Sequence, residues 1–441
     1  MFPPRLVIAS LTAAFAVTFA VLILVGGKES GADERTASRE LSLGVPSQAA
    51  ASTDGRIAAL NAAVRAEPKR PEGYTALAET YLQKARETAD PAFYGRAGIA
   101  LERALTRKPG DAAALTARGR LRLSLHDFKG ALADARRALA AAPDANAPYP
   151  VLVDALVELG RYDDAERALQ TMIDRRPGAS AYARVAYLRE LRGDLSGAAE
   201  ALRLAVSASR GPGENAAYVT ALLGDLEFTR GRLSRAATAY RDALTRLPRF
   251  PPAEAGLARL DSARGDREAA IRRLRRLVGR LPLPQYVVEL GETELAVGRR
   301  ARARRDLELL GAQYRLLRAA GVAPDAQIAV HEADYGDPRR AVRLARAVWA
   351  SAPSVRSADA LGWALTRTGR PAEGLRWARR ALRLGSRDPR FLYHAGIAAR
   401  QAGRSGDARR WLERALRQAP RFSAYLSPRA RRALRTLGGS R

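Results

Sequence analysis

The chain has 441 residues, a net charge of +29, no cysteine and 6% aromatic residues. Without cysteine it forms neither disulfides nor thiolate metal sites, and its three histidines lie too far apart in sequence for a spaced ligand motif. Alanine, leucine and arginine dominate, and the alternating Val-Ile-Thr runs typical of strands are almost absent, which predicts an all-helical chain.

The positive charge is concentrated in the second half of the chain. Residues 1–250 carry 35 basic and 28 acidic side chains, whereas residues 251–441 carry 40 and 18. A GC-rich genome would favour arginine over lysine, but codon bias does not explain the excess of bases over acids. The C-terminal half is therefore expected to present a basic surface.

The N-terminal segment is the most apolar part of the chain. Residues 6–25, LVIASLTAAFAVTFAVLILV, contain no charge, and at 1.5 Å per residue they span the roughly 30 Å hydrocarbon core. A cleavable signal peptide is the alternative, with small residues at Ser30-Gly31-Ala32, but the apolar run is longer than the usual signal core. We predict an N-terminal tail and anchor over residues 1–25 of a single-pass membrane protein.

Residues 26–52 are polar and small, which predicts a flexible linker. Arg5 precedes the predicted span, whereas Lys28, Arg35 and Arg39 follow it, so the positive-inside rule specifies the orientation only weakly. We expect the part of the chain beyond the membrane to be extracytoplasmic, with a cytoplasmic location as the alternative.

A repeat of about 34 residues follows the linker. The segments GRPAEGLRWARRALRLGS and GRSGDARRWLERALRQAP begin 34 residues apart, and most repeats have a small residue seven positions before the first glycine and an alanine five positions after it. Equivalent glycines recur at intervals of 33 to 38 residues: Gly160, Gly193, Gly231, Gly265, Gly298, Gly336, Gly369 and Gly403, with His126 in that place one unit earlier.

Each element of the repeat has a physical role in a helical hairpin. The glycine ends the first helix in the left-handed conformation, and the small residues let two antiparallel helices cross closely. Proline, 17 positions after the glycine in six units, ends the second helix. Such hairpins must stack to bury their apolar faces. Two 38-residue intervals, containing SRGPGENAA and LLRAAGVAPDA, predict longer loops between hairpins.

The repeat resembles the tetratricopeptide repeat family, whose pattern is W-x2-L-G-x2-Y followed by alanine and proline. The resemblance is clearest in ALGWALTRTGRPAEGLRWARRAL and YHAGIAARQAGRSGDARRWLERAL and covers about residues 53–426. It implies an all-α, right-handed superhelical solenoid of about ten helix-turn-helix repeats, preceded by one transmembrane helix. Pentatricopeptide repeats, which read RNA, have a near-identical period, but the small residues around the turn favour the tetratricopeptide interpretation.

Residues 427–441 begin with Ser427-Pro428, a typical helix start, and are predicted to form a basic capping helix and tail. No nucleotide, metal or catalytic motif is found. The sequence HEADY at 331–335 begins like a zinc-binding motif but has Tyr335 where the second histidine is required. We expect no catalytic residue, no metal and no cofactor, and therefore no enzyme.

In the family that the chain resembles, the first helix of each hairpin lines a concave groove that takes peptides or partner helices. By their offset from the turn, twelve residues are predicted to bind a protein or peptide partner there: Asp154, Tyr187, Tyr218, Asp225, Phe228, Glu292, Arg356, Trp363, Arg367, Arg390, Tyr393 and Arg400. Core packing explains the aromatic residues among them equally well. The Lys and Asn residues of the family's carboxylate clamp are absent from the corresponding places.

Arginine also recurs on the second helices, seven positions after the turn glycine. Five successive repeats carry it, at Arg272, Arg305, Arg343, Arg376 and Arg410, and we call this set the arginine ladder. It is either a solvated convex face or a contact surface for an anionic polymer or lipid head groups, with nucleic acid disfavoured as a partner. The sequence therefore predicts a membrane-anchored scaffold that binds proteins through its groove.

Overall fold

The computed structural model describes residues 52–209 and 211–438, and in these ranges the protein is helical with no β-strand. The predicted anchor, at residues 6–25, lies outside the described residues, as does the linker up to residue 51. Within the described ranges, no helix combines the length and the apolar character needed to cross a bilayer.

The described part contains 22 helices. The first eleven are α1 Thr53–Ala66, α2 Pro71–Thr88, α3 Ala92–Arg107, α4 Ala112–Ser124, α5 Phe128–Ala141, α6 Tyr149–Glu158, α7 Tyr162–Arg175, α8 Ala179–Leu191, α9 Leu195–Ala208, α10 Glu214–Thr229 and α11 Leu233–Arg246. The others are α12 Pro251–Arg264, α13 Arg267–Arg280, α14 Pro284–Ala296, α15 Arg300–Ala319, α16 Ala326–Tyr335, α17 Pro338–Ser351, α18 Val355–Arg367, α19 Pro371–Ala381, α20 Pro389–Gln401, α21 Ser405–Gln418 and α22 Leu426–Gly438.

The helices pair into a solenoid of antiparallel hairpins. Helices α2 to α21 form ten hairpins that pack on one another in order, while α1 packs on α2 and α22 packs on α21 and α20. The junction between α15 and α16 is the exception, where the contact is made by side chains, such as Tyr314 with His331. The predicted all-α repeat solenoid is thus confirmed. The 22 helices correspond to about eleven repeats rather than the ten predicted, because α1 and α22 add the equivalent of one hairpin without a turn glycine of their own.

The turn between the two helices of a hairpin is left-handed in most repeats. Seven of the eight predicted glycines have positive φ, and His126 adopts the same conformation with φ 60°. Gly336 is the exception, with φ −117°, so the prediction of a left-handed turn is wrong there. The α16–α17 turn instead places Asp337 as the N-cap, where its side chain accepts a bond from the Arg339 amide.

Small residues at the helix crossings allow the backbones to approach closely. A Cβ on Gly362 in α18 would lie 2.9 Å from the Gly374 carbonyl oxygen in α19, and one on Gly374 would lie 2.7 Å from the Gly362 oxygen. Gly374 stands where the other repeats have alanine. At this crossing, neither Gly362 nor Gly374 has room for a side chain.

The two 38-residue intervals are accommodated differently. The first adds a loop between α9 and α10, as predicted. The second mostly lengthens α15, which continues to Ala319, so the prediction of a longer loop is wrong for LLRAA. Leu317 and Val322 bury this extension against Tyr94 and Leu125 from early repeats.

The solenoid curls so far that its successive superhelical turns touch. The His126 Nδ1 and Ala323 carbonyl oxygen lie 2.7 Å apart, the Val355 amide donates to the Tyr162 hydroxyl at 2.8 Å, and Gln418 Nε2 donates to the Thr229 carbonyl at 3.2 Å. These partners are 189 to 197 residues apart, which is between five and six repeats. Turns within hairpins of the first half of the chain thus contact loops between hairpins of the second half. The first helices line the interior of the superhelix.

Turn glycines make this contact sterically feasible. A Cβ on Gly160 would lie 2.4 Å from the Pro353 carbonyl oxygen, and one on Gly193 would lie 2.3 Å from the Gly385 carbonyl oxygen. These distances are shorter than any real contact of a methyl group. The two glycines therefore serve both the local turn and the contact between superhelical turns.

We expect Gly160→Ala to loosen the superhelix and Gly403→Ala to leave its shape unchanged. Both glycines have a left-handed φ, of 69° and 71°, but no atom lies within 4 Å of the Cβ position at Gly403. Each substitution should cost about 1–2 kcal/mol in backbone strain, and only Gly160→Ala should also separate the α6–α7 turn from Pro353. Small-angle X-ray scattering should show a larger radius of gyration for Gly160→Ala alone. Equal radii and equal melting temperatures in the two variants would contradict this contact.

Candidate functional site

Two cavities lie on the concave side of the closed superhelix. The central cavity, of about 670 Å³, is lined by the first helices from α8 to α20 and by the segment before α22. The C-terminal pocket, of about 920 Å³, lies between α15, α18, α20 and α22. Asp334 and Tyr335 at the end of α16 line both cavities, so the two are adjacent.

Many charged residues line the central cavity, and acidic residues and arginines are equal in number. Seven acidic and seven arginine side chains face it: Glu190, Asp225, Glu289, Glu292, Asp334, Asp359 and Asp388, with Arg259, Arg264, Arg267, Arg356, Arg390, Arg421 and Arg431. A chain with a net charge of +29 therefore has an interior that is close to neutral when these groups are all ionised.

Glu292 is the centre of the largest hydrogen-bonded network in the central cavity. Its carboxylate accepts two bonds from Arg390, each at 3.1 Å, one from the Tyr335 hydroxyl at 3.0 Å and one from the Ser423 hydroxyl at 3.1 Å. Burial alone would raise the pKa of Glu292, but Arg390 and the other donors hold the pKa below its ordinary value. The network joins α14, α16 and α20 to the segment that leads into α22.

Two other predicted groove acids are also paired with arginines of the following hairpin. Asp154 accepts bonds of 2.8 and 2.6 Å from Arg184, and both side chains are 1% exposed. Asp225 accepts a bond of 2.6 Å from the Tyr240 hydroxyl and a second one from Arg259. Removing one partner from such a buried pair leaves an uncompensated charge, so these acids stabilise the stacking of the repeats.

The predicted aromatic residues of the middle repeats are mostly covered. Tyr218 is 2% exposed, packs edge-on against Phe250, and its hydroxyl has no hydrogen-bond partner among the described residues. Phe228 and Tyr187 line the central cavity, and Tyr187 is hydrogen-bonded to Arg356. Burial raises the pKa of the Tyr187 hydroxyl above its ordinary range, so Tyr187 is neutral at physiological pH.

Three glutamates on first helices have pKa values near 7. Burial raises the pKa of Glu158, Glu190 and Glu289 to about 7 in each case. Arginines oppose the shift at Glu158 and Glu289, whereas at Glu190 the carboxylates of Asp388 and Asp225 add to it. Protonation of these groups changes the net charge of the interior between mildly acidic and mildly basic solution.

The C-terminal pocket gathers the predicted groove residues of the last two hairpins. Trp363 and Arg367 reach it from α18, and Tyr393 and Arg400 reach it from α20. The Trp363 indole nitrogen donates to Asp334 at 3.0 Å, and the Arg367 guanidinium lies 5.8 Å from the Trp363 ring centroid. The sequence thus placed these four residues on one surface, and the structure brings them to one cavity.

Sequence reasoning missed four further arginines of this pocket. Arg300 and Arg304 belong to α15, the second helix of its hairpin, whereas the predicted groove residues were taken from first helices. Arg429 and Arg432 belong to α22, whose Ala430 and Ala433 are buried against the last hairpins. The sequence did contain a signal for Arg429 and Arg432. A helix that packs its apolar side on the end of a groove has its polar side beside that groove.

The partner-binding role of the twelve predicted groove residues stays a prediction. Six of them line the central cavity (Tyr187, Asp225, Phe228, Glu292, Arg356 and Arg390), four line the C-terminal pocket, and Asp154 and Tyr218 are buried beside the cavity. All five ladder arginines are exposed, on the second helices α13, α15, α17, α19 and α21. Within the described ranges, no group of three His, Asp or Glu side chains is placed to hold a metal ion.

We expect Glu190→Gln to stabilise the protein at pH 8 but not at pH 5. The folded-state pKa of about 7 lies above the ordinary value of 4.5, so the folded state loses stability as pH rises from about 4.5 to 7. A neutral amide removes this loss, which should raise the free energy of unfolding at pH 8 by about 1–3 kcal/mol. Thermal melts at both pH values would measure it.

Glu200→Gln provides the control, because Glu200 is an exposed glutamate on α9 with no cavity around it. This variant should follow the wild-type melting temperature at both pH values. Parallel pH profiles for wild type and Glu190→Gln would show that Glu190 is ionised in the folded protein throughout this range.

Two segments of the chain, residues 122–186 and residues 360–422, each match a tetratricopeptide repeat family. Among curated proteins, cellulose synthase 1 operon protein C of Komagataeibacter xylinus is 38% identical over 96 residues. That match covers 22% of this chain and 7% of the relative, so the chain spans only a small part of that protein's length.

Several solved structures are similar to parts of this chain at low sequence identity. A thermophilic TPR protein of Thermus thermophilus is 23% identical, with a TM-score of 0.37, and the match covers 42% of this chain and 98% of that one. A tetratricopeptide repeat protein of Parabacteroides merdae is 18% identical, with a TM-score of 0.40, over 55% of this chain and 98% of that one. PilF of Pseudomonas aeruginosa is 19% identical, with a TM-score of 0.36, over 48% and 92%.

The matched segments lie in two separate parts of the array, residues 122–186 and 360–422. They share their helical hairpins, and most of the left-handed turns, with the rest of the solenoid. Two segments of the solenoid are thus similar to tetratricopeptide repeats, and they lie within a continuous array of helical hairpins.

Proposed function

We propose that the chain is a non-catalytic scaffold that binds a protein partner at the C-terminal end of its concave surface. Tetratricopeptide repeats generally mediate protein–protein interaction, which supports the class of function. The observation that carries the site is the C-terminal pocket, a cavity of about 920 Å³ lined by aromatic and arginine side chains. Arginine is one of the residue types most enriched at the energetic centres of protein interfaces, whereas Trp363 and Tyr393 are each only 5% exposed.

The central cavity is less suited to a partner than the C-terminal pocket. The carboxylates of Glu292 and Asp225 are already bound by Arg390 and Arg259. Two of its seven arginines are thus committed to internal ion pairs, and the contact between superhelical turns at Tyr162 and Val355 restricts access from the side. A partner would have to separate these contacts to reach the first helices along their length.

We also propose that residues 6–25 anchor the chain in a membrane. Twenty uncharged residues at the N-terminus are long enough to span a bilayer, and the linker at 26–52 would hold the solenoid near the membrane surface. The scaffold would then bind its partner beside the membrane, on the side where the solenoid lies.

The pocket is tested by site-specific photo-crosslinking in the full-length protein in its own membranes. A photoreactive amino acid replaces Gln401 or Thr436, two exposed residues that line the C-terminal pocket. We expect a covalent adduct with a discrete protein from both positions, because groups within a binding pocket lie within reach of the bound partner. Gel shift and mass spectrometry of the adduct provide the measurement.

The matched control places the same amino acid at Glu200, which is exposed on the outer helix α9. No specific adduct is expected from this position. The same adducts from Glu200 as from Gln401 and Thr436, or none from the pocket, would count against the proposed function.

A second candidate function, binding of an anionic polymer or lipid head groups, is favoured by the arginine ladder. All five ladder arginines are exposed, and Arg410 alone among them forms an ion pair within the described ranges, with Asp407 at 2.5 Å. Four guanidinium groups are thus available for bidentate contacts with phosphate or carboxylate.

Changing all five ladder arginines to glutamine should weaken adsorption to vesicles of anionic phospholipid and flatten its dependence on salt. The expected loss follows from removing charges that sit near the lipid surface, each worth about 1 kcal/mol. Vesicle co-sedimentation at low and physiological salt measures it, and unchanged helical circular dichroism is expected because exposed charges contribute little to stability. Wild-type adsorption by the five-fold variant would leave the ladder as a solvated face.

A further inference from the structure

The C-terminal pocket carries a positive charge that the described part of the protein does not neutralise. Six arginines line it, against two acidic side chains, Glu308 and Asp334. Arg367 approaches Asp334, with Nε and Oδ1 3.8 Å apart, and the Arg429 guanidinium lies 3.3 Å from the centroid of the Tyr425 ring. The remaining four, Arg300, Arg304, Arg400 and Arg432, are exposed and form no ion pair within residues 52–209 and 211–438.

These four arginines differ from ordinary surface arginines in being gathered around one cavity. They come from three helices, α15, α20 and α22, so the chain brings together residues more than a hundred positions apart. Like charges grouped in a concave site with low-dielectric walls create a strong positive potential. An anion that enters the pocket relieves their repulsion and gains charge-assisted hydrogen bonds.

We propose that the C-terminal pocket binds an acidic, extended stretch of a partner polypeptide, whose carboxylates pair with Arg300, Arg304, Arg400 and Arg432. The inference rests on the proposed function, because it names the chemistry of the partner at the same site. Arginine presents a planar fork of donors that matches a carboxylate in two parallel hydrogen bonds. Apolar side chains of the partner would lie on Leu307, Ile397 and Leu426, which complete the lining.

The aromatic residues of the pocket argue against a nucleic-acid strand as the occupant. Single strands bind by stacking bases on exposed aromatic faces. Here Trp363 stacks on His394 with ring centroids 4.3 Å apart, and Arg367 approaches the same ring. Arg429 covers Tyr425, and Tyr393 packs against Phe422 and Trp363. The rings are therefore engaged within the protein, which leaves guanidinium groups and apolar side chains to make contact with the ligand.

The assignment is tested with full-length protein in detergent and fluorescein-labelled probes. The probes are a peptide of alternating glutamate and leucine, the corresponding peptide of glutamine and leucine, and single-stranded oligothymidylate. The glutamate peptide should bind at least about tenfold more tightly than the glutamine peptide, since charge-assisted bonds are the stronger ones. Fluorescence anisotropy at physiological salt measures each affinity.

Two double variants of equal charge change separate the pocket from the overall charge. Arg400→Gln with Arg432→Gln should weaken binding of the glutamate peptide by roughly 10- to 100-fold. Arg136→Gln with Arg241→Gln, two exposed arginines on α5 and α11 outside both the pocket and the arginine ladder, should leave it within about twofold. Arg400→Lys with Arg432→Lys should recover part of the affinity, because lysine keeps the charge and loses the fork.

Three results would overturn the assignment. They are an equal loss of affinity in the pocket variant and the control variant, no preference for the glutamate peptide, and tighter binding of oligothymidylate that the pocket variant abolishes. The proposed function is tested independently, because photo-crosslinking from Gln401 and Thr436 detects a protein partner of any chemistry. An adduct there combined with any of these three results would retain the pocket as a protein-binding site and remove the acidic segment as its ligand.

Discussion

The interior of this protein depends on the contact between successive turns of the superhelix. Hairpin turns near residues 126, 160 and 229 meet loops near residues 323, 353 and 418 through hydrogen bonds from side chains to backbone carbonyls and through close glycine packing. In a solenoid where each repeat touches only its neighbours, the concave surface stays open along its length. Here the same surface lines a central cavity, so charged side chains of first helices that are distant in sequence, such as Glu292 and Arg390, pair with one another.

Enclosure decides how the charges are distributed. Carboxylates and arginines are matched in number around the central cavity, because an unpaired charge there would be desolvated without compensation. Arginines without an acidic partner gather in two places where charge stays in contact with water, the arginine ladder and the C-terminal pocket. The ladder spreads its charges over successive repeats, whereas the pocket concentrates them in one cavity. This difference in density makes the pocket the better site for a compact anionic ligand.

The sequence predicted the hairpins well, because their signals are local. Turn glycines such as Gly160 and small residues such as Gly362 act within a single hairpin, and the period of 34 makes them visible. Two local predictions were wrong. The turn at Gly336 is not left-handed, and the segment predicted as a loop after α15 instead continues the helix to Ala319. Nothing in the repeat indicates how far the array curls, since curvature is the sum of small rotations between hairpins.

Candidate site residues could be predicted only as far as they depend on the position within a repeat. Trp363 and Tyr393 were placed on the concave side by their offset from the turn, and both line the C-terminal pocket. The pairing of Glu292 with Arg390, which are 98 residues apart, depends on the curvature of the whole array and has no local signal. The same holds for Arg304, which reaches the pocket only because α15 borders the closed end of the superhelix.

Helix α22 forms one wall of the C-terminal pocket. It is the last helix of the described part and packs chiefly on α21 and α20. Terminal elements with few neighbours open more readily than the core of an array. A ligand bridging Arg304 on α15 and Arg432 on α22 would tie this wall to the body of the solenoid. The backbone amides of α22 would then exchange their hydrogens with solvent more slowly in the occupied protein than in the free one.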